Sequence, residues 1–169
     1  MRAFGAAVMS AMLVLAGCQR ESESDTLVQV TGHIFVFNYR VAIATYLVTL
    51  SKKAPLPDGA VAIAEFENPA GGAPLVINEK IFPAWEKISL QSPPIHCVKK
   101  DRPYAVSIRL IDADGKELQS LKTTVTSDVD QSIMPGKPLV VGPLYTKNPE
   151  VFKSDGTVDY DSADTCPKT

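Results

Sequence analysis

The sequence predicts an all-β domain, an antiparallel β-sandwich of seven or eight short strands. Three observations predict it. Short runs of β-branched, aromatic and aliphatic residues recur along the chain, several alternating with polar residues at a period of two. Pro and Gly clusters divide these runs at regular spacing. No segment after residue 17 carries apolar residues at the spacing of an amphipathic helix.

Leu27 to Asn38 opens the domain, with Val28, Val30, Ile34 and Val36 on one parity and Phe35 and Phe37 on the other. Both faces are apolar in its second half. That pattern predicts a strand buried on both sides or one that crosses from an exposed to an inner position, with Gly32 as a candidate bulge. Arg40 to Leu50 continues it as a second strand after a break near Asn38-Tyr39. Lys52 to Gly59 is a connection, because Pro55 and Pro57 remove donors and Asp58-Gly59 marks a turn. Ala60 to Phe66, Leu75 to Phe82 and Ile88 to Leu90 are three further strands, separated by Gly71-Gly72 and Pro83 and closed by Pro93-Pro94.

Tyr104, Val106, Ile108 and Leu110 alternate with Ser107 and Arg109, which predicts a half-buried antiparallel strand. Asp112-Ala113-Asp114-Gly115 is the hairpin turn that follows, and the return strand runs from Glu117 to Thr126. Its apolar spacing slips by one between Leu118 and Leu121, a second candidate bulge. Leu139 to Tyr145 reads as a last strand, and from Asn148 an acidic tail with Asp159, Asp161 and Asp164 is expected to be held only through Cys166. The count and spacing give a sandwich that is immunoglobulin-like in architecture.

The first residues decide location. Arg2 precedes a nearly continuous apolar run from Ala3 to Ala16, about 14 residues, which suits a secretory signal and falls short of the ~20 that span a bilayer as a helix. Leu15-Ala16-Gly17-Cys18 closes that run and resembles a bacterial lipobox. The resemblance implies diacylglyceryl transfer to the Cys18 thiol and cleavage before it, and two or three acyl chains make an effectively permanent anchor. An ordinary signal peptide that happens to contain a cysteine is the plainer alternative. The expected organisation is a signal peptide over 1–17, a lipidated flexible tether over 18–26 that is polar and rich in Ser and Glu, a sandwich over 27–146, and a tail over 147–169. With Gln19 rather than an aspartate after Cys18, the same lipobox resemblance implies, by the rule of enteric bacteria, sorting to the periplasmic face of the outer membrane.

Setting Cys18 aside leaves Cys97 and Cys166, an even pair in a compartment where disulfides persist. A bond between them would close a loop of about 70 residues and contribute roughly 4 kcal/mol in the chain-entropy model. Two unrelated cysteines, one in a strand and one in a loose tail, are the alternative. Removal of Arg2 with the signal leaves 16 basic against 19 acidic residues. Neither a nucleic-acid footprint nor a polybasic membrane patch stands out, because the Lys52-Lys53 and Lys99-Lys100 pairs are expected to be separated by the body of the domain.

Val48-Thr49-Leu50, Ala54-Pro55-Leu56-Pro57-Asp58-Gly59-Ala60-Val61, Ala73-Pro74-Leu75-Val76 and Tyr104-Ala105-Val106-Ser107-Ile108-Arg109 resemble stretches of the YbaY/YscW lipoproteins, over roughly residues 48 to 125. The resemblance implies a small, outer-membrane-anchored β-sandwich. Some members of that family act as pilotins that escort secretin subunits. The strand-rich segment before residue 48, the cysteine pair and the acidic tail depart from the family pattern.

No catalytic or metal site is predicted. His33 and His96 are the only histidines, which excludes a three-histidine zinc site. His96-Cys97 suggests a base and a nucleophile, but neighbours in extended chain point apart and a disulfide would consume the thiol. The Asp112-x-Asp114-Gly115 turn lacks the bidentate glutamate of a calcium loop, and Asp155 to Asp164 lacks its glycine register. No nucleophile elbow, phosphate loop or dinucleotide fingerprint is present, and no cofactor is expected. Phe82-Pro83-Ala84-Trp85 is the candidate partner surface, since Trp is favoured at interaction hot spots. More often such a tryptophan plugs the end of a sandwich. The function expected is a lipid-anchored, non-enzymatic binding or assembly factor for another envelope protein. The alternative is a periplasmic carrier or sensor of a small ligand held between the sheets, which would need a sizeable apolar cavity.

Overall fold

The computed structural model describes residues 26–160 and Cys166. Seven strands build the domain: β1 (Val28–Asn38), β2 (Ile43–Lys52), β3 (Val61–Phe66), β4 (Leu75–Lys80), β5 (Lys87–Gln91), β6 (Pro103–Ile111) and β7 (Glu117–Thr126). They form two antiparallel sheets, ordered β1-β2-β5 and β4-β3-β6-β7. The chain changes sheet after β2, β4 and β5. An antibody constant domain adds its fourth strand to the sheet holding strands one, two and five; here the fourth strand pairs with the third, giving a three-plus-four sandwich.

Two bulges determine which side chains enter the core. In β1 the register shifts between Val30 and Gly32, leaving Thr31 as the extra residue. Ahead of it the even positions Val28 and Val30 face inward, and after it the odd positions Phe35 and Phe37 do. Ile34 is thereby turned outward and is 54% exposed. The two apolar parities of this strand therefore reflect a slip of one residue rather than burial on both faces. In β7 the pairing steps from Leu110↔Gln119 to Ile111↔Glu117, which makes Leu118 the inserted residue and lets Leu118 and Leu121 both pack on the core.

Between the sheets, Phe35 and Tyr46 of one layer meet Tyr104 and Phe66 of the other, with ring centroids 5.6 and 5.1 Å apart. Leu50, Ile88, Leu90, Ile108 and Leu110 fill the remaining interior, all fully buried. Each such side chain contributes roughly 1.5–3 kcal/mol relative to exposure. Tyr46 donates to the Glu67 carbonyl at 2.7 Å, and burial, followed by the nearby Glu67 carboxylate and Tyr104, pushes its phenol far above the ordinary value. Tyr104 forms a tyrosine corner at the start of β6: its hydroxyl accepts from Lys99 N at 2.8 Å and contacts the Cys97 carbonyl at 3.4 Å.

The C-terminal region differs from the sequence expectation in two ways. Leu139 to Tyr145 is not a strand of the sandwich but most of a small hairpin, β8 (Val140–Val141) and β9 (Thr146–Lys147), turned by Gly142 and Tyr145 at positive φ. Nor is the following segment held only through a cysteine. Asn148 is buried, donating to the Pro138 carbonyl at 2.7 Å and accepting from Glu150 N at 3.0 Å, and Val151 is fully buried. Lys137 lies 3.9 Å from the Glu150 carboxylate and 3.7 Å from that of Asp159. The Cys97–Cys166 disulfide joins this region to the β5–β6 connection, with Cα atoms 5.4 Å apart. The expected signal peptide over 1–17, Cys18 and the expected tether up to Asp25 lie outside the described residues, as do Asp161 and Asp164.

Candidate functional site

The strand directions give the sandwich two unlike ends. At one end lie the start of β1, the end of β2, the end of β4 and the start of β5. β2 stops at Lys52 because Pro55 and Pro57 cannot continue a ladder, and Leu56 between them turns inward and is buried. The amides of Lys53 and Ala54 both donate to the Leu27 carbonyl, at 2.8 and 3.3 Å, so the chain enters the domain beside the Lys52-Lys53 pair. Lys52 N donates to the Glu86 carbonyl at 2.9 Å, and the Lys52 ammonium donates to the Pro83 carbonyl. Lys87 sits opposite Ser51 in the next strand.

Phe82 to Trp85 is a turn closed by Trp85 N donating to the Phe82 carbonyl at 3.0 Å, with Pro83 presetting its first corner. The turn brings the two aromatic side chains together, ring centroids 4.9 Å apart, at 47% and 37% exposure. The Lys80 ammonium lies 5.7 Å from the centre of the Phe82 ring. An open groove of about 570 Å³ runs between this turn and the β2–β3 connection, lined by Lys52, Lys53, Pro55, Pro83, Glu86 and Lys87 among others. Among the described residues, none of Lys52, Lys53, Lys80 and Lys87 has a carboxylate within ion-pair distance.

This corner corrects one sequence reading. Lys52-Lys53 and Lys99-Lys100 are indeed separated by the domain, but Lys87, solitary in the chain, joins Lys52 and Lys53 around one groove, and Lys80 lies against the Phe82 ring of the turn that borders it. A signal was present: Lys80 and Lys87 flank the Phe82–Trp85 turn on either side. Chain order alone does not show that β2 ends against β5.

The opposite end carries the β1–β2 turn and the β8–β9 hairpin. Leu139 N and Val140 N donate to the Arg40 carbonyl at 2.9 and 3.2 Å, and the Arg40 guanidinium lies 5.3 Å from the centre of the Tyr145 ring. Leu144 is 85% exposed and Tyr145 59%, with Tyr39 and Ile43 also exposed on the adjoining turn. A second cavity of about 340 Å³ lies at this end between the β3–β4 and β5–β6 connections. Glu67 forms part of its wall, and its carboxylate is fully engaged, by Arg102 at 2.7 Å and by Ala105 N at 2.9 Å.

His33 is exposed in mid-β1, and His96 is exposed beside the buried, disulfide-bonded Cys97. Among the described residues no three His, Cys, Asp or Glu side chains converge as a metal site would need. The acidic turns serve the backbone. Asp112 accepts from Asp114 N and Lys116 N at 3.0 and 2.9 Å, with Gly115 at φ 82°. Asp155 accepts from the Thr157 hydroxyl and amide, which hold its carboxyl below the usual range.

No family model matches the chain, and no curated protein does. Among solved structures it is similar to the Pseudomonas fluorescens alkylpurine DNA glycosylase AlkC bound to DNA containing an abasic site analog. The identity is 16% and the TM-score 0.33, over 60% of this chain and 31% of that one. The chain thus spans under a third of that protein's length, and a likeness of this size says nothing further about fold or function.

Proposed function

We propose that this chain is a lipid-anchored envelope lipoprotein, attached through acyl groups on Cys18 at the periplasmic face of the outer membrane, that binds another envelope protein without chemistry of its own. In the terms of the YbaY/YscW resemblance this is a pilotin-like or assembly role. The supporting observation is the apolar display at the end remote from the point where the tether enters. Leu144 and Tyr145 stand out on a hairpin braced against Arg40, next to Tyr39 and Ile43. Tyr and Arg are over-represented among residues that dominate interface energies, and a braced hairpin loses little entropy on binding. An anchored domain presents that end away from the membrane, where a neighbouring protein can reach it.

The test is crosslinking in intact cells, detergent extraction, affinity capture and mass spectrometry on three forms: wild type, Cys18→Ser, and Leu144→Asp combined with Tyr145→Ala. One envelope protein recovered near stoichiometry with the wild type, and lost from both variants, is the expected result. Recovery of the lipoprotein alone from wild-type cells would overturn the reading.

A further inference from the structure

We propose that the corner formed by Lys52, Lys53, Lys80, Lys87, Phe82 and Trp85 is a membrane-contact face that seats the domain on anionic phospholipid. The inference rests on the lipid-anchor reading of Cys18 and goes beyond it by naming the face that meets the bilayer.

The point of chain entry carries the geometric part. Leu27 is hydrogen-bonded to Lys53 and Ala54 on one side and to Gln119 of β7 on the other, so the segment running back to Cys18 leaves the domain at the end that carries this corner. Residues 18 to 26 can reach no farther than about 30 Å at full extension. An acyl group on Cys18 therefore keeps this end of the sandwich within about a domain diameter of the headgroups, and every shorter path brings it closer.

The chemistry of the corner matches that neighbour. Tryptophan settles at the bilayer interface, where an amphipathic ring has both an apolar and a wet side. Phe82 and Trp85 are presented side by side on a tight turn rather than sunk into the sandwich. Among the described residues none of the four lysines of this corner has a carboxylate within ion-pair distance, and each lysine near an anionic leaflet strengthens association about fivefold at moderate salt. Long lysine stems let the charges sit among phosphates while the aromatic pair goes deeper.

Among the described residues Glu86 is the one acid that lines the groove. Asp112, Asp114 and Glu117 belong to the β6–β7 hairpin, and Asp58 precedes Gly59, which packs on Ala113 of that hairpin. β7 flanks β1, whereas β4 flanks β5, so the acids of that hairpin lie on the side away from the aromatic turn. A tilt that lowers the lysine corner lifts the hairpin off the surface.

Trp85 is the only tryptophan in the chain, so its emission reports on this corner directly. The full-length acylated protein is reconstituted into phosphatidylglycerol–phosphatidylcholine vesicles, with and without brominated acyl chains, and compared with vesicles of phosphatidylcholine alone. The expected result is blue-shifted Trp85 emission, quenched by bromolipid, that weakens as salt is raised. Lys53→Glu with Lys87→Glu, both at exposed positions, should reduce the quenching at least fivefold while circular dichroism and anchoring are unchanged. Lys122→Glu, on exposed β7, is the control and should leave it intact. Trp85 emission identical to that of Cys18→Ser protein in buffer, or quenching indifferent to the lysine reversals, overturns the inference. The mass of the N-terminal peptide is read on the same preparation: an unacylated Cys18 sinks the anchor reading, whereas an acylated Cys18 with an unresponsive Trp85 sinks only the membrane-contact face.

Discussion

Gln119 clasps Val28 with both ends of its side-chain amide, accepting from Val28 N at 2.9 Å and donating to Val28 O at 3.0 Å. Its oxygen also accepts from Leu27 N at 3.0 Å. A side chain thus takes the place of a strand partner where β1 of one sheet runs beside β7 of the other. The same clasp fixes the point from which the chain leaves toward Cys18. Gln119→Ala should lower stability by about 2 kcal/mol, since three partly buried hydrogen bonds are lost. Urea unfolding reads the loss, and amide exchange should quicken first at Leu27 and Val28. A variant as stable as the wild type, with unchanged exchange there, would show the clasp to be dispensable.

The Cys97–Cys166 bond spans 69 residues of chain and should hold the C-terminal region on the domain. A free-thiol assay on unfolded, unreduced acylated protein should return a value near zero, and two thiols per chain would refute the bond. Cys97→Ser with Cys166→Ser should lower stability by up to about 4 kcal/mol, less if the reduced chain keeps residual structure.

Tyr104→Phe tests the tyrosine corner. The variant keeps the ring's packing against Phe35 but removes the acceptor of Lys99 N and the contact with the Cys97 carbonyl. A loss of about 1–3 kcal/mol is expected, the range for a buried donor left without its partner. An unchanged urea midpoint would mean that water takes over the bond.

Asp130 supplies a test against pH. It caps the short 3-10 turn Gln131–Ile133 by accepting from Ser132 N at 3.2 Å, and Lys99 lies 3.8 Å from its carboxylate. Burial acts to raise its pKa, but the Ser132 hydrogen bonds, the Lys99 charge and the Lys100 amide outweigh it and hold the carboxyl below its ordinary value. A carboxyl depressed by folding stabilises above the unfolded pKa, about 4, and that contribution is lost as pH falls through the lower folded value. Both groups are more than a third exposed, so the effect is modest. Asp130→Asn should flatten the acid limb of the stability curve between about pH 5 and pH 2, and superimposable wild-type and variant limbs would contradict it.

The β6–β7 hairpin, the two bulges and the disulfide pair were legible in the sequence because each has a local or countable signature. Alternation at Tyr104 to Leu110 and the Asp112–Gly115 turn specify a hairpin without reference to the rest of the chain. Gly32, and the slip between Leu118 and Leu121, marked where pairing steps by one. Leu139 to Tyr145 misled for the same reason: its composition suits a strand, but no sheet edge accepts it, and it folds back as a two-residue ladder against the Arg40 turn.

What the sequence determined by itself was the seven strands of the two sheets, the inward parity of those with clean alternation such as β6, and the number of cysteines left to pair, since these follow from periods of two and from counting. Only the tertiary structure decided which strand ends become neighbours. Lys52, Lys80 and Lys87 lie on three different strands, and Gln119 meets Val28 across 91 residues of chain. Those neighbours arise because three connections carry the chain from one sheet to the other. Such long-range pairings are selected by burial of the common core, through Tyr46, Phe66 and Tyr104, and no local period records them.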